Sequence, residues 1–284
     1  MVVTLDGEVV AADVPVARLD DPLFARGDGV FETLLVRAGR ACLAGRHLER
    51  LARSATIVGL PPPEPTRWGT AVATAVRHWR GPDEAVMRLV WGRGLDGVPI
   101  GFVTASALPD RVVAARRDGV SAMTLDRGIV VGDLSVARES PPPWSTAGAK
   151  SSSYAVNAAA LRQAQRLGVQ DVVLVSADGH VLEGPRSSIV IATGDGVLVT
   201  PPATLPILPG TTVAAVFDLA RRRDVDCDER PLRVGDLLAA NGVWLLSSVT
   251  LAARVHTLDG HTLPAVRAAL DVAAIVDEAV GAPD

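Results

Sequence analysis

Residues 145–157 read STAGAKSSSYAVN, and this stretch contains both Lys150 and Tyr154. Lys150 is the only lysine among 28 lysine and arginine residues, and Tyr154 is the only tyrosine. Arginine stays protonated, whereas a lysine amine can lose its proton and form a Schiff base. A lysine kept in a chain that otherwise uses arginine therefore points to covalent or proton-transfer chemistry. The alternative is chance, because a composition skewed to arginine, alanine and valine still leaves one lysine somewhere.

The composition is that of a packed globular protein. The chain has 284 residues, enough for one large domain or two ordinary ones, with 48% hydrophobic and 21% charged residues. The net charge of −4 gives no reason to expect a nucleic-acid partner. Two cysteines cannot make a disulfide framework, which fits a cytoplasmic setting. The N-terminal residues do not resemble a signal peptide, and no stretch approaches the roughly 18 apolar residues of a membrane span.

The pattern of apolar residues predicts an α/β (α+β) fold in two domains, residues 1–117 and 118–284. Helical spacing predicts helices at 47–58, 68–79, 154–167, 211–223, 234–239 and 263–280. Apolar, β-prone runs predict strands at 30–37, 85–91, 101–107, 120–125, 171–176, 180–182, 188–192, 197–200 and 243–247. Strands and helices therefore intermix in both halves. Residues 128–149, which include Trp144, form a long irregular connection of the kind that is usually functional or mobile.

Three polar candidates lie in the second half. Glu183 follows a predicted strand and precedes Gly184-Pro185, so its carboxylate lies either in a pocket or in a solvated turn. Residues 208–212 read LPGTT and open a helix whose free N–H groups suit a phosphate, although an ordinary helix N-cap explains them equally. Ser248 follows an apolar strand, where it either extends a phosphate site or simply ends the strand in a turn.

Three further candidates lie in the first half. Arg50 follows His47 by three residues on a predicted helix, so it either reaches inward to an anion or lies in solvent. Thr33 points to the opposite strand face from Glu32, which suits a pocket, although threonine is also common in strands. Arg93 ends a strand and suits a substrate carboxylate, or is an ordinary loop arginine.

Metal and dinucleotide sites are not indicated. The five histidines show no H-x-x-x-H or Cys/His ligand spacing, and no G-x-G-x-x-G follows a strand. Each of the other candidates is a weak signal alone, but together they comprise one amine, one acid, one phenol, phosphate-binding turns and an arginine. These are the parts of a pyridoxal phosphate site.

Several segments, taken in order, resemble the fold-type IV pyridoxal phosphate enzymes. This family contains branched-chain aminotransferases, D-amino acid aminotransferases and aminodeoxychorismate lyases. The segments that carry the resemblance are GDGVFETLLVRAGR with HLERL, AGAKSSSYAVNAAALRQA, DVVLVSADGHVLEGPRSSIVIATGDGVLVTPP, LPGTT, and VWLLSSVTLAARVHTLDG. Together they span nearly the whole chain. The resemblance implies a small N-terminal α/β domain, a larger C-terminal α/β pseudo-barrel domain that carries the lysine, and a homodimer with its active site at the domain and subunit boundary.

The resemblance also assigns roles to residues. Lys150 would carry the cofactor, Glu183 would pair with the pyridine nitrogen, and Tyr154 would hydrogen-bond the ring hydroxyl. The phosphate would be held by Arg50, the backbone of Thr211 and Thr212, and Ser248. Ser188 stands among the cofactor contacts where the family often has asparagine, and threonine is more usual than Ser248. Both replacements keep a polar group.

The segments SYAVNAAAL, LEGPRSSIV and SSVTLAARVHTLDG are most similar to bacterial aminodeoxychorismate lyases. This implies conversion of 4-amino-4-deoxychorismate to 4-aminobenzoate, a folate precursor, and pyruvate. Lys150 would be the general base, Thr33 the proton donor to the leaving group, and Arg93 the contact for the substrate carboxylate. Lyases often carry a second arginine shortly after the Arg93 position, and this chain has none there. The alternatives are an aminotransferase of D- or branched-chain amino acids and a cofactor-free relative that serves as a scaffold.

Overall fold

The computed structural model describes residues 1–11, 13–134, 142–264 and 271–282. The described residues form two compact units. The first unit contains Met1–Pro109, Pro143–Tyr154 and the described C-terminal residues, and the second contains the described parts of Asp110–Pro142 and Ala155–Val280. This division differs from the boundary expected after residue 117, because it groups Lys150 with the first unit.

The first unit is a six-stranded sheet with helices. Its elements are β1 (Val2–Thr4), β2 (Val9–Val10), α1 (Pro22–Ala25), β3 (Gly29–Arg37), β4 (Arg40–Ala41), α2 (Ala44–Ile57), α3 (Pro65–His78), β5 (Glu84–Arg93) and β6 (Pro99–Ala107). The strand order is β2-β1-β6-β5-β3-β4, and every neighbouring pair is antiparallel. The predicted helices at 47–58 and 68–79 correspond to α2 and α3, which begin three residues earlier than predicted.

Alternation along β3 separates the two faces of this sheet. Val30, Leu34 and Val36 pack with α2 and α3 in one core, so Glu32, which shares their face, is also buried there. Phe31 lies on the opposite face in a second apolar cluster. A carboxylate on the helix-covered face requires partners, because an unpaired buried charge is costly.

The second unit is a mixed eight-stranded sheet. Its elements are α4 (Asp110–Asp118), β7 (Val120–Asp126), α5 (Ala155–Arg166), β8 (Asp171–Val175), β9 (Ser188–Ala192), β10 (Leu198–Thr200), α6 (Thr211–Arg221), β11 (Cys227–Glu229), α7 (Val234–Ala239), β12 (Gly242–Ser247), β13 (Leu251–Leu258), β14 (His261–Thr262) and α8 (Val272–Gly281). The order is β11-β10-β9-β12-β13-β7-β8, with β14 on β13. The β10–β11, β13–β7 and β7–β8 pairs are parallel.

Several elements of the second unit differ from those predicted. Where a strand was predicted at 180–182, His180 and Val181 form isolated bridges instead. The closing helix begins at Val272 rather than residue 263, and residues 265–270 lie outside the described part. The helix α4 escaped prediction because its sequence, DRVVAARRD, buries only Val112 and so shows little helical periodicity. In the described ranges, no helix is long and apolar enough to cross a membrane.

Candidate active site

Lys150 is fixed by its backbone to the open edge of β3. The amide of Phe31 donates to the Lys150 carbonyl at 3.0 Å, and the amide of Ser152 donates to the Gly29 carbonyl at 2.8 Å. On its other side, the Lys150 amide donates to Oγ of the buried Ser54 on α2 at 3.1 Å. The strand β4 pairs only with the far end of β3, so the near end is available for this pairing. These contacts explain why the lysine segment belongs to the first unit.

The Lys150 side chain lies against an aromatic group. Its Nζ is 4.8 Å from the centroid of the Phe31 ring, and the Cζ of Arg88 is 4.1 Å from the same centroid. Tyr154 packs edge-on against Phe31 with ring centroids 5.6 Å apart. The two cations are attracted to the ring, and Arg88 keeps solvent exposure. The rare lysine, the single tyrosine and an accessible arginine therefore share one aromatic neighbour.

Arg50 belongs to a buried network on the helix-covered face of the sheet. Its Nε donates to Oε1 of Glu32 at 2.7 Å, and its Nη2 donates to Oε2 at 2.8 Å. Nδ1 of His47 lies 2.7 Å from the same Oε2. The side chains of Glu32 and His47 are fully buried and that of Arg50 nearly so. Arg50 therefore faces inward, and the alternative that it lies in solvent is wrong.

The charges in this network shift two pKa values. Burial by itself raises the pKa of Glu32, but the guanidinium of Arg50 and the neighbouring His47 outweigh it and hold that pKa well below its ordinary value. Burial lowers the pKa of His47 below 6.5, Glu32 opposes the shift, and Arg50 and Lys150 add to it. Glu32 is therefore ionised and His47 neutral at neutral pH.

Thr33 and Arg93 occupy different surroundings. Thr33 is half-buried and lies directly opposite Arg88 in the β3–β5 ladder, on the face that carries Phe31. Arg93 instead donates from Nε to the carboxylate of Asp28 at 3.0 Å, and its Nη2 lies 3.3 Å from the Gly59 carbonyl. The structure thus places Thr33, but not Arg93, beside the Phe31 cluster.

In the second unit, Glu183 contacts the LPGTT turn. Its Oε2 accepts a hydrogen bond from the amide of Leu208 at 3.1 Å, and its side chain is half-buried. Ser188 lies beside the same turn, because a Cβ built on Gly210 would come within 2.5 Å of the Ser188 Oγ. Glycine at 210 thus lets the turn approach Ser188. Three sites predicted separately from the sequence are adjacent here.

The N-terminus of α6 has the features of an anion site. Its N-cap is Gly210, and no side chain caps the helix. Thr211 and Thr212 are 6% and 2% exposed. The Thr212 Oγ1 is buried and has no hydrogen-bond partner among the described residues. An unsatisfied buried hydroxyl beside an uncapped helix start fits a phosphate oxygen better than an ordinary N-cap.

Ser248 sits in a tight hairpin between β12 and β13. The amide of Thr250 donates to Oγ of Ser247 at 3.2 Å, and the guanidinium of Arg116 donates to the Val249 carbonyl through Nε at 3.1 Å. Leu251, which follows Thr250 and begins β13, has a left-handed backbone with φ of 61°. A side chain there carries strain that glycine would avoid, so the turn conformation is held by its surroundings.

Four residues around these sites were not predicted from the sequence, namely Phe31, Glu32, Ser54 and Arg88. Glu32 had a usable signal, because it interrupts an alternating apolar face opposite a helix that carries His47 and Arg50. Ser54 and Arg88 had none, since their roles depend on where the lysine segment docks. No group of three or more potential metal ligands occurs within the part of the chain that the structure describes.

Comparison with known proteins places the chain in a family. Residues 29–258 match the model of amino-transferase class IV. The chain belongs to the class IV aminotransferase family. A bifunctional aminodeoxychorismate lyase / D-amino acid transaminase of Mycobacterium tuberculosis is 52% identical over 99% of both chains.

Solved structures show the same fold. A hypothetical aminotransferase from Mycobacterium tuberculosis in its PLP-bound form superposes with a TM-score of 0.93, at 52% identity over 99% of both chains. A fold IV-transaminase from Curtobacterium pusillum has a TM-score of 0.83 at 38% identity, covering 95% of this chain and 88% of its own. The predicted α/β fold class and the resemblance to fold-type IV enzymes are therefore confirmed.

Proposed function

We propose that this class IV aminotransferase family member is a pyridoxal phosphate-dependent enzyme. The observation that carries the proposal is the 52% identity, over essentially all of both chains, to a relative named for lyase and transaminase activities. The proposed reaction is the conversion of 4-amino-4-deoxychorismate to 4-aminobenzoate and pyruvate, a step of folate biosynthesis. The second proposed activity is transamination of D-amino acids.

The residues of the chain fit this cofactor. Phosphate oxygens would satisfy the Thr212 hydroxyl, which lacks a partner in the described structure, and the uncapped start of α6. Arg50 would supply the charge for the phosphate, and Ser248 a hydroxyl. Glu183, already ordered by the Leu208 amide, would keep the ring nitrogen protonated. Tyr154 would donate to the ring hydroxyl, and Ser188 would line the turn that holds the phosphate.

Lys150 is the proposed covalent attachment point and general base. When bound, pyridoxal phosphate supplies an aldehyde that condenses with amines and a ring that withdraws electrons. The Lys150 backbone is held at both its carbonyl and its amide, which limits the positions that its amine can reach. Once the substrate amine has displaced it, the lysine amine would take a proton from the ring carbon of the substrate.

Two further residues act on the substrate in this proposal. Thr33 would give a proton to the leaving enolpyruvyl group. The sequence predicts that Arg93 contacts the substrate carboxylate, but Asp28 already binds its guanidinium. Arg88 is exposed, lies opposite Thr33 and approaches the same Phe31 ring as Lys150, so we add it as a second candidate.

The proposal is tested with the purified protein. Incubation with 4-amino-4-deoxychorismate should give 4-aminobenzoate, detected by its fluorescence, and D-alanine with 2-oxoglutarate should give pyruvate. L-leucine is the matched amino donor that separates a D-amino acid enzyme from a branched-chain one. Transamination without formation of 4-aminobenzoate would eliminate the lyase assignment. A yellow purified protein that is bleached by borohydride would exclude the cofactor-free alternative.

The assembly and location of the protein are also proposals. The fold-type IV resemblance supports a homodimer, which sedimentation equilibrium would test directly. Neither Cys42 nor Cys227 forms a disulfide among the described residues, which suits a reducing compartment such as the cytoplasm. No nucleic-acid or membrane partner is proposed.

A further inference from the structure

In the buried network of Glu32, His47 and Arg50, the Glu32 carboxylate has contacts with two side chains and not with one. Glu32 accepts two hydrogen bonds from one guanidinium, and His47 adds a third contact at 2.7 Å. A carboxylate with two oxygens in this geometry matches the planar fork of arginine and fixes its plane. The remaining N–H groups of that guanidinium must then point away from Glu32. Orientation of Arg50 is thus set by a neighbour rather than by its own flexible chain.

The same face of α2 also positions the lysine. Ser54 follows Arg50 by four residues, which places both side chains on one helix face. Ser54 accepts the Lys150 amide, while Arg50 is bound to Glu32. The helix therefore fixes the origin of the lysine side chain and the direction of the guanidinium together.

We propose that Glu32 is a positioning residue that holds the Arg50 guanidinium in the orientation required by the cofactor phosphate. This inference rests on the proposed function, since it presumes that Arg50 contacts that phosphate. It concerns affinity for the phosphate group rather than the chemistry at Lys150.

The charge of Glu32 and its effect on the orientation of Arg50 predict opposite changes in phosphate affinity when Glu32 is replaced. Glu32 is ionised, so its replacement by glutamine makes the network more positive by one charge, which by itself attracts a phosphate more strongly. Glutamine also presents an NH₂ group that cannot accept the hydrogen bonds of Arg50, so the guanidinium loses its fixed plane. If orientation dominates, Glu32→Gln weakens phosphate binding despite the added positive charge.

The test compares ligands with and without a phosphate on the apoprotein. Pyridoxal phosphate, pyridoxal and inorganic phosphate are titrated against the wild-type protein, Glu32→Gln and Glu32→Asp, with tryptophan fluorescence and thermal shift as readouts. We expect Kd for pyridoxal phosphate and inorganic phosphate to rise roughly tenfold or more in both variants, while Kd for pyridoxal stays unchanged. Glu32→Asp keeps the charge, so its loss of affinity isolates orientation.

Two controls connect the effect to Arg50. Glu84→Gln removes the partner of Arg37 at the other end of β3, an ion pair at 2.5 Å whose side chains are 25% and 26% exposed, and should leave all three affinities unchanged. In an Arg50→Gln background, adding Glu32→Gln should cause no further loss. If Glu32→Gln fails to fold, Glu32→Asp and the double variant, which leaves no buried charge, provide the same comparison.

The outcomes separate this inference from the proposed function. A wild-type apoprotein that binds neither pyridoxal phosphate nor inorganic phosphate contradicts the proposed function. Normal wild-type binding with unchanged or tighter phosphate binding in the Glu32 variants contradicts only the role of Glu32. An equal loss for pyridoxal and its phosphate indicates general damage and also overturns that role.

Discussion

The two units supply their predicted cofactor contacts in different chemical forms. The first unit uses charged side chains, Lys150 and Arg50. Ser54 accepts a hydrogen bond from the Lys150 backbone amide, and Glu32 binds the Arg50 guanidinium. The second unit relies mainly on backbone amides at the start of α6, with hydroxyls beside them. Backbone amides persist in every residue except proline, whereas a charged side chain is lost in one substitution. Single substitutions should therefore be more damaging in the first unit than in the second.

The largest effect is expected at Lys150. Lys150→Ala removes the proposed base and attachment point, so activity should fall by roughly 10²- to 10⁴-fold from loss of the base alone. Borohydride reduction of wild-type holoenzyme should add one cofactor mass, and peptide mapping should locate it at Lys150. The only other primary amine in the printed sequence is the N-terminus, which makes this mapping unambiguous. A stoichiometric label or normal activity in Lys150→Ala would contradict the assignment.

A smaller effect is expected from the two arginines of the first unit. Arg88→Gln should raise KM by roughly tenfold to a hundredfold, since a hydrogen bond to a charged group contributes about 1.5–3 kcal/mol. Arg93→Gln should change KM less, because Asp28 already engages that guanidinium. Steady-state kinetics of both variants show which of the two arginines contacts the substrate carboxylate. The reverse ranking would restore Arg93 as the carboxylate contact.

The second unit should respond weakly and with opposite signs. Thr212→Val removes a buried hydroxyl without a partner in the described structure, so it should stabilise the apoprotein by about 1 kcal/mol. It should also weaken pyridoxal phosphate binding severalfold. Chemical denaturation and cofactor titration measure the two effects.

Thr200→Val is the matched control for this substitution. The Thr200 Oγ1 donates to the Ile189 carbonyl at 2.7 Å, so its removal should destabilise the protein and leave cofactor binding unchanged. A destabilised Thr212→Val apoprotein would show that its hydroxyl already has a partner.

The smallest effect concerns pH. The pKa of His47 is lowered in the folded state, so the unfolded chain binds more protons as pH falls below 6.5, and stability decreases there. Glu32, Arg50 and Lys150 are the charged groups that act on this imidazole. His47→Asn should reduce the stability difference between about pH 7.5 and about pH 5.5. The exposed His261→Asn is the control, and equal slopes in both variants would contradict the prediction.

The sequence predicted the local positions of individual residues better than the contacts between residues. Thr33 was correctly placed on the strand face opposite Glu32, because alternation along a strand is a local property. Arg93 looked like a substrate contact because nothing in its neighbourhood shows that Asp28, which is 65 positions away, binds it. The helix α4 was missed since its exposed surface leaves little periodic signal.

By itself, the sequence determined the fold class, the lysine and the ordered motifs, because these follow from residue types and local spacing. Only the tertiary structure decided that residues 150–152 complete the edge of β3, which moves Lys150 into the first unit. It also decided that Glu32 meets Arg50 rather than solvent, and that Glu183 meets the LPGTT turn. These pairings join residues far apart in the chain, and burial makes them strong by removing water as a competing partner.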